Sequence, residues 1–208
     1  DADTGYGGVL NVRRTVRQYE RAGVAAIHIE DQESPKRCGH LDDKKVISTE
    51  DMVQKIRAAV DARTDDDFTI IVRTDSIAVT GWDDAMHRCN EYVKAGADVL
   101  FVEALRTTEE VERAAKNLDI PLLFNFVESG KSPLLSASEL EKLGFKIVIY
   151  PASALLSVTH IVGQVMAELK ETGTTAHLMD KMVSLEDCFE EMGLSSMLAE
   201  DAQFASTG

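Results

Sequence analysis

Three short stretches hold more chemistry than a structural segment needs. Two carboxylates stand one residue apart in Asp1-Ala2-Asp3-Thr4-Gly5, and two adjacent ones end His28-Ile29-Glu30-Asp31. A thiol lies among basic residues in Lys36-Arg37-Cys38-Gly39-His40. Asp1, Asp3 and Glu30 are hard anionic oxygen donors, the kind that Mg2+ or Mn2+ prefers, with water and substrate completing an octahedron. No His pair or Cys pair points to zinc. The plainer alternative is that D-x-D-x-G forms a solvated turn. For Cys38, flanking positive charge draws a thiol pKa down from about 8.5 towards neutrality. With Arg37 and His40 beside it, Cys38 could then exchange a proton at physiological pH. A surface cysteine in a basic loop is the alternative. Further on, Arg73 offers a planar fork for a carboxylate, or an ion pair with a nearby Asp. Glu103 and Asn125 are candidate substrate or water contacts, or else caps and loop hydrogen bonds. His28 sits between Ile27 and Ile29 and reads as a packed core histidine.

The elements that must position these residues alternate along the chain. Helical periodicity over 11–22 places Val12, Thr15, Val16 and Tyr19 on one face, and Gly23 stops it. A short apolar strand, 24–29, runs into Glu30-Asp31, and a polar loop follows over 32–46. Ser48 caps a helix whose apolar face is Met52, Val53, Ile56, Ala59 and Val60. Strands over 68–72, 97–102, 121–124 and 145–149 alternate with helices over 83–95, 107–118 and 136–143. A long apolar helix then runs from about Ala152 to Thr172, with Leu155, Val158, Ile161, Val162, Val165 and Leu169 expected inward. Such near-continuous apolar strands imply a parallel sheet covered by helices.

Asp3, Glu30, Arg73, Glu103, Asn125 and Tyr150 all fall at or just past the C-terminal end of a strand. That edge carries the active site in a (β/α)8 TIM-type barrel. No GxGxxG follows a strand, so the closed barrel fits better than an open doubly wound sheet. Five strands follow Asp1, and Asp1-Asp3 reads as the tail of another. A barrel needs eight, so we expect about two β/α units and the body of a third strand to precede this stretch in a longer protein. Residues 1–172 would then be the C-terminal three-quarters of the barrel, and 173–208 a helical segment and tail.

Composition narrows the classes further. The 208 residues carry a formal net charge of −14, which argues against nucleic-acid binding. No apolar run approaches the ~20 residues that span a bilayer, so no membrane partner is expected. Cys38, Cys89 and Cys188 form no CxxC pair, which suits a reducing, cytoplasmic setting. Cys89 and Cys188 fall on apolar helical positions and are expected to be buried.

Taken together, DADTGYGG, HIEDQ, KRCGH, Val72-Arg73-Thr74-Asp75, Phe101-Val102-Glu103-Ala104 and Phe124-Asn125 resemble the isocitrate lyase/PEP mutase superfamily. The resemblance runs in unbroken order from Asp1 to about Thr172. It is strongest to the group of 2-methylisocitrate lyases, 2,3-dimethylmalate lyases and oxaloacetate hydrolases. It implies a (β/α)8 barrel assembled as a homotetramer, with a C-terminal helix swapped between subunits. It also implies Mg2+ on Asp1 and Asp3, with Glu30 contributing through water. Arg73 and the main chain at Cys38-Gly39 would grip a 2-oxo acid, Glu103 and Asn125 would line the site, and Lys36 to His40 would gate it. The implied activity is C–C bond cleavage of a 2-hydroxy dicarboxylate, with Cys38 as general acid. Oxaloacetate hydrolysis and a phosphonopyruvate-type reaction are the alternatives, and Cys38 disfavours the latter. Leu156 stands where methylisocitrate lyases carry an Arg for a third carboxylate, which favours a dicarboxylate substrate.

Overall fold

A computed structural model describes residues 1–39 and 41–205. Its elements are α1 (Val9–Arg21), β1 (Ala26–Glu30), α2 (Thr49–Ala62), β2 (Thr69–Thr74), α3 (Trp82–Ala95), β3 (Val99–Val102), α4 (Thr108–Asn117), β4 (Leu122–Asn125), α5 (Ala137–Leu143), β5 (Ile147–Ile149), α6 (Ser153–Thr172), α7 (Leu185–Glu191) and α8 (Leu194–Ala205). Short 3-10 turns cover Ser76–Ala78 and Ala176–Lys181. The chain divides into two compact units, Asp1–Ser153 and Ala154–Gly208.

In the first unit the five strands form one parallel sheet in sequence order, as the apolar runs predict. It is a sector of a (β/α)8 barrel with the helices on its outer face. Residues 1–3 extend the ladder beyond β1: Ala2 N–H donates to the His28 carbonyl at 2.9 Å, and Glu30 N–H donates to the Asp3 carbonyl at 3.0 Å. The helix signals act where expected. Ser48, Thr107 and Ser136 each accept a hydrogen bond from the main chain three residues on, and Ser136–Glu139 closes a reciprocal capping box. Gly96 ends α3 in the left-handed region at φ 106°, which a side chain would resist.

Strand side chains alternate between two layers. Ile70, Val72, Leu100, Leu122 and Phe124 join Met52, Ile56 and Tyr92 in the outer core beneath the helices. Ile71, Val99, Phe101 and Leu123 form a second, inner cluster. The cross-strand register pairs Glu30 with Arg73, Arg73 with Phe101, and Phe101 with Leu123. The polar residues two positions past each inner apolar residue therefore share that inner face: Arg73 after Ile71, Glu103 after Phe101, Asn125 after Leu123. An apolar inner plug topped by polar side chains is the layered packing of such a barrel.

In the second unit, α6 buries none of its side chains. Leu155, Val158 and Val162 are exposed, and so are Phe189 and Met192 beyond it. The inward face expected for α6 is thus not covered. Its apolar stripe is legible in the sequence, but no residue of it is buried within this unit. Cys188 is only half-buried, not buried as expected, because α7 has no buried residue, whereas Cys89 on α3 is fully buried. No helix among the described residues is long and apolar enough to cross a membrane.

Candidate active site

The site forms where β1, β2, β3 and β4 end. Arg73, at the end of β2, is its charged centre. It is 7% exposed and donates to Asp75 through Nε at 2.9 Å and Nη2 at 3.1 Å. Glu103 lies 3.4 Å from Nη2 and Glu30 lies 3.5 Å from Nε. The Phe101 ring stacks 4.9 Å beneath the guanidinium. Burial disfavours that charge, yet Glu103, Asp75 and Glu30 outweigh burial and hold Arg73 well above its ordinary pKa. Asp75 shows the reverse balance. Burial pushes its carboxyl up, but Arg73 and Lys44 bring it below the usual carboxylate range. The ion-pair reading for Arg73 is the one seen here: Asp75 takes Nε and Nη2, with Glu30 and Glu103 close by.

Asp1, His28 and Glu30 each bring a ligand atom within 4.8 Å of the others. Glu30 is fully buried, its Oε1 has no hydrogen-bond partner, and burial raises its pKa. The Lys36 ammonium lies between the two carboxylates, 3.2 Å from Asp1 and 3.3 Å from Glu30. A buried oxygen without a donor, beside a cluster that already attracts the chain's own cation, fits a divalent ion. The two carboxylates suit Mg2+ or Mn2+, whereas the imidazole is a donor more typical of softer divalent metals. Asp3 is not among the three clustered donors. Its carboxylate accepts the Thr4 N–H at 2.7 Å, on a backbone held at φ 54°.

His28 is the residue that the apolar neighbours concealed. Its ring packs edge-on against Phe101 at 5.8 Å, as a core residue would. Its Nε2, however, faces Asp1 at 3.8 Å. Burial, reinforced by positive neighbours that include Arg73 and Lys36, lowers its pKa to about 4, so the ring is neutral and its nitrogen free to donate a lone pair. The overlooked signal was strand alternation, because a residue two before Glu30 must share its face.

The 36–44 loop crosses this mouth. Gly39 is buried, and a Cβ built there would stand 2.3 Å from Arg73 Nη2 and 2.6 Å from Glu103 Cγ, so only glycine permits the contact. Cys38 is exposed beside it. The basic neighbours are directed elsewhere: Lys36 to Asp1 and Glu30, Arg37 to Asp43 at 3.8 Å. His40 lies outside the described residues. Glu103 and Asn125 do not project out of the mouth as free side chains. They are buried and joined, Asn125 Nδ2 donating to Glu103 Oε2 at 3.1 Å, with Asn125 Oδ1 left without a partner.

Beneath the site, Asp31 ties the strand ends together. Fully buried, it accepts from Thr74 Oγ1 at 2.7 Å, Tyr92 OH at 2.9 Å and the Asp75 N–H at 2.9 Å. Arg88 lies 3.6 Å away.

Residues 1–170 match the family model described as phosphoenolpyruvate phosphomutase. The chain belongs to the PEP mutase/isocitrate lyase superfamily. Among curated relatives it is 43% identical over 206 residues to a 2,3-dimethylmalate lyase of Eubacterium barkeri, covering 99% of this chain and 71% of that one. It is 44% identical over 203 residues to a 2-methylisocitrate lyase of Aeropyrum pernix, covering 98% and 65%. Among solved structures, a 2,3-dimethylmalate lyase superposes with a TM-score of 0.89 at 42% identity, covering 98% of this chain and 68% of that one. An oxaloacetate acetylhydrolase bound to 3,3-difluorooxalacetate superposes at 0.90 and 37%, covering 98% and 69%. A phosphonopyruvate hydrolase holding oxalate and Mg++ superposes at 0.84 and 30%, covering 98% and 71%. The chain thus spans about two thirds of the length of the relatives it matches.

Proposed function

We propose that the protein carrying this chain is a Mg2+-dependent carbon–carbon lyase. Its substrate is a 2-hydroxy di- or tricarboxylate of the 2,3-dimethylmalate or methylisocitrate kind, and its product is pyruvate or a related 2-oxo acid. The observation that carries this reading is the close approach of Gly39, the residue after Cys38, to Arg73 and Glu103, on the strand-end face that also holds the Asp1–His28–Glu30 cluster. That arrangement supports reading Arg73 and Gly39 as an acid grip, the carboxylate cluster as a cation site and Cys38 as the nearby thiol.

A divalent ion held by Asp1, Glu30 and His28 would supply the positive charge that stabilises a developing enolate. Asp3 would act on that site through the main chain it fixes. Arg73, preset by Asp75, pairs with one substrate carboxylate. Gly39 offers main chain to the same end of the molecule, and Glu103 with Asn125 forms the polar wall. As the bond between C2 and C3 breaks, the 2-hydroxyl passes its proton to a carboxylate of the site, and C2 becomes the carbonyl of the 2-oxo acid. The departing carbon keeps the electron pair, and Cys38 returns a proton to it. The loop excludes water meanwhile, with Arg37 and His40 as part of it.

A second reading, hydrolysis of oxaloacetate to oxalate and acetate, is favoured by the likeness to the acetylhydrolase. Leu156 in place of a third-carboxylate Arg supports a dicarboxylate in either case. We further propose a cytoplasmic homotetramer in which the apolar surface of the C-terminal unit (Leu155, Val158, Phe189, Met192) is covered by a second copy. Sedimentation showing a monomer would overturn the assembly. The function is tested by offering 2,3-dimethylmalate, 2-methylisocitrate, oxaloacetate and phosphonopyruvate with Mg2+. Pyruvate from a malate or isocitrate is expected; oxalate from oxaloacetate would select the hydrolase. Turnover of phosphonopyruvate alone would refute both.

A further inference from the structure

After Cys38-Gly39 the loop doubles back and buries its far end. The side chain of Lys44 is only 1% exposed. An ammonium is seldom buried, since leaving water disfavours its charge unless protein groups replace the solvent. Two groups do so here. The ammonium donates to the main-chain carbonyl of Gly39 and lies 3.2 Å from Asp75 Oδ1. Asp75 is itself fully buried and accepts both Arg73 bonds. One carboxylate therefore holds the guanidinium directly and the loop main chain through Lys44. The near end of the loop has its own clasp, because the buried Gln32 amide donates to the Arg37 carbonyl at 2.8 Å and accepts the Arg37 N–H at 2.9 Å.

We propose that Lys44 is a positioning residue that fixes the Cys38-Gly39 crossing over Arg73 by way of Asp75. The two groups that would hold the acid end of a 2-oxo acid, the Arg73 fork and the Gly39 main chain, are then set by a shared counter-charge. This inference rests on the reading of Arg73 and Gly39 as the acid grip, so one arm of its test needs neither ligand nor turnover. A packed apolar side chain of equal length would fill the same space without holding the carbonyl, which separates positioning from filling. The neighbouring Lys45 is exposed and serves as a control.

The test uses the full gene product with Lys44→Met, Lys44→Arg and Lys45→Met. Oxalate affinity is measured calorimetrically with Mn2+ present, Mn2+ affinity by itself, and loop opening as the rate of tryptic cleavage after Arg37, which follows the population of open loop. Losing a charge-assisted hydrogen bond predicts oxalate binding at least ~10-fold weaker in Lys44→Met. Cleavage should be several-fold faster, Mn2+ binding unchanged, Lys44→Arg partly restored and Lys45→Met as wild type. A folded Lys44→Met protein with wild-type cleavage and wild-type oxalate affinity overturns the proposal. If oxalate fails to bind even the wild type, the acid-grip reading falls, and cleavage by itself decides the latch. If Lys44→Met does not fold, acetic anhydride labelling of the wild type decides: Lys44 should react far more slowly than Lys45, and equal rates overturn the latch.

Discussion

Replacing Asp75 with Asn is the sharpest test of the charge arrangement at this site. The carboxylate accepts Arg73 Nε at 2.9 Å and Nη2 at 3.1 Å, and faces the Lys44 ammonium at 3.2 Å, all out of contact with water. An Asn has one acceptor oxygen and no charge: at the Oδ1 position it keeps Arg73 Nη2 and Lys44 but loses Nε, and at the Oδ2 position it keeps Nε alone. One or two lost charge-assisted contacts at about 1.5–3 kcal/mol each amount to about 1.5–6 kcal/mol. Removing one partner of a buried ion pair costs about 3–5 kcal/mol on independent grounds. Arg73 would keep Glu103 at 3.4 Å and Glu30 at 3.5 Å, while Lys44 would keep the Gly39 carbonyl, which places the expected loss near the common range of about 3–5 kcal/mol. The assay is urea unfolding followed by circular dichroism at pH 7 and again near pH 3. Because the folded pKa of Asp75 lies below its unfolded value, its contribution is present above the unfolded pKa and is lost as pH falls through the folded one. The gap between variant and wild type should therefore narrow in acid. Asp61→Asn, which removes an exposed partner of Arg13, should leave the midpoint unchanged. A gap under about 1 kcal/mol at pH 7 would mean that Arg73 and Lys44 find other partners readily, and the argument for a shared buried counter-charge would fail.

Three further outcomes are expected. Cys38→Ser should lose at least ~10²-fold in kcat while still binding Mn2+ and pyruvate, and near-normal turnover would remove Cys38 from the chemistry. Glu30→Gln should weaken Mn2+ binding, measured calorimetrically, by at least ~10-fold; unchanged affinity would exclude Glu30 from the cation cluster. Glu20 accepts the Thr64 and Asp65 N–H groups, which lower its pKa, so Glu20→Gln should shift the unfolding midpoint at neutral pH and lose that effect as pH falls; a pH-independent effect would contradict the assignment.

What the sequence made legible, and what it hid, divides along a physical line. Local rules acted as read: caps at Ser48, Thr107 and Ser136, glycine stops at Gly96 and Gly144, and apolar runs that became parallel strands in order. The polar residues at strand ends converged because alternation places Glu30, Arg73, Glu103 and Asn125 on one face. The same alternation would have brought His28 to that face, but isoleucines on both sides made it look like core. For α6 the stripe was visible and its cover was not, because a periodic face says only that something must pack there.

Lys44 and Asp75 belong to a harder class. Nothing local distinguishes Lys44 from Lys45, and Asp75 reads as a polar residue after a strand. Their roles arise only when the loop folds back, so that one residue of a Lys-Lys pair enters the protein and the other stays in water. Such a charge could not be buried by itself. It is buried because Arg73 and Lys44, two cations brought from β2 and from the loop, converge on an acid that burial would otherwise keep protonated. Each cation offsets the cost of burying the carboxylate that the other also needs, so none of the three would hold its place in isolation. A constellation of this kind is specified by closure of the loop over the strand ends, and it is there that the chain's geometry and its chemistry become the same question.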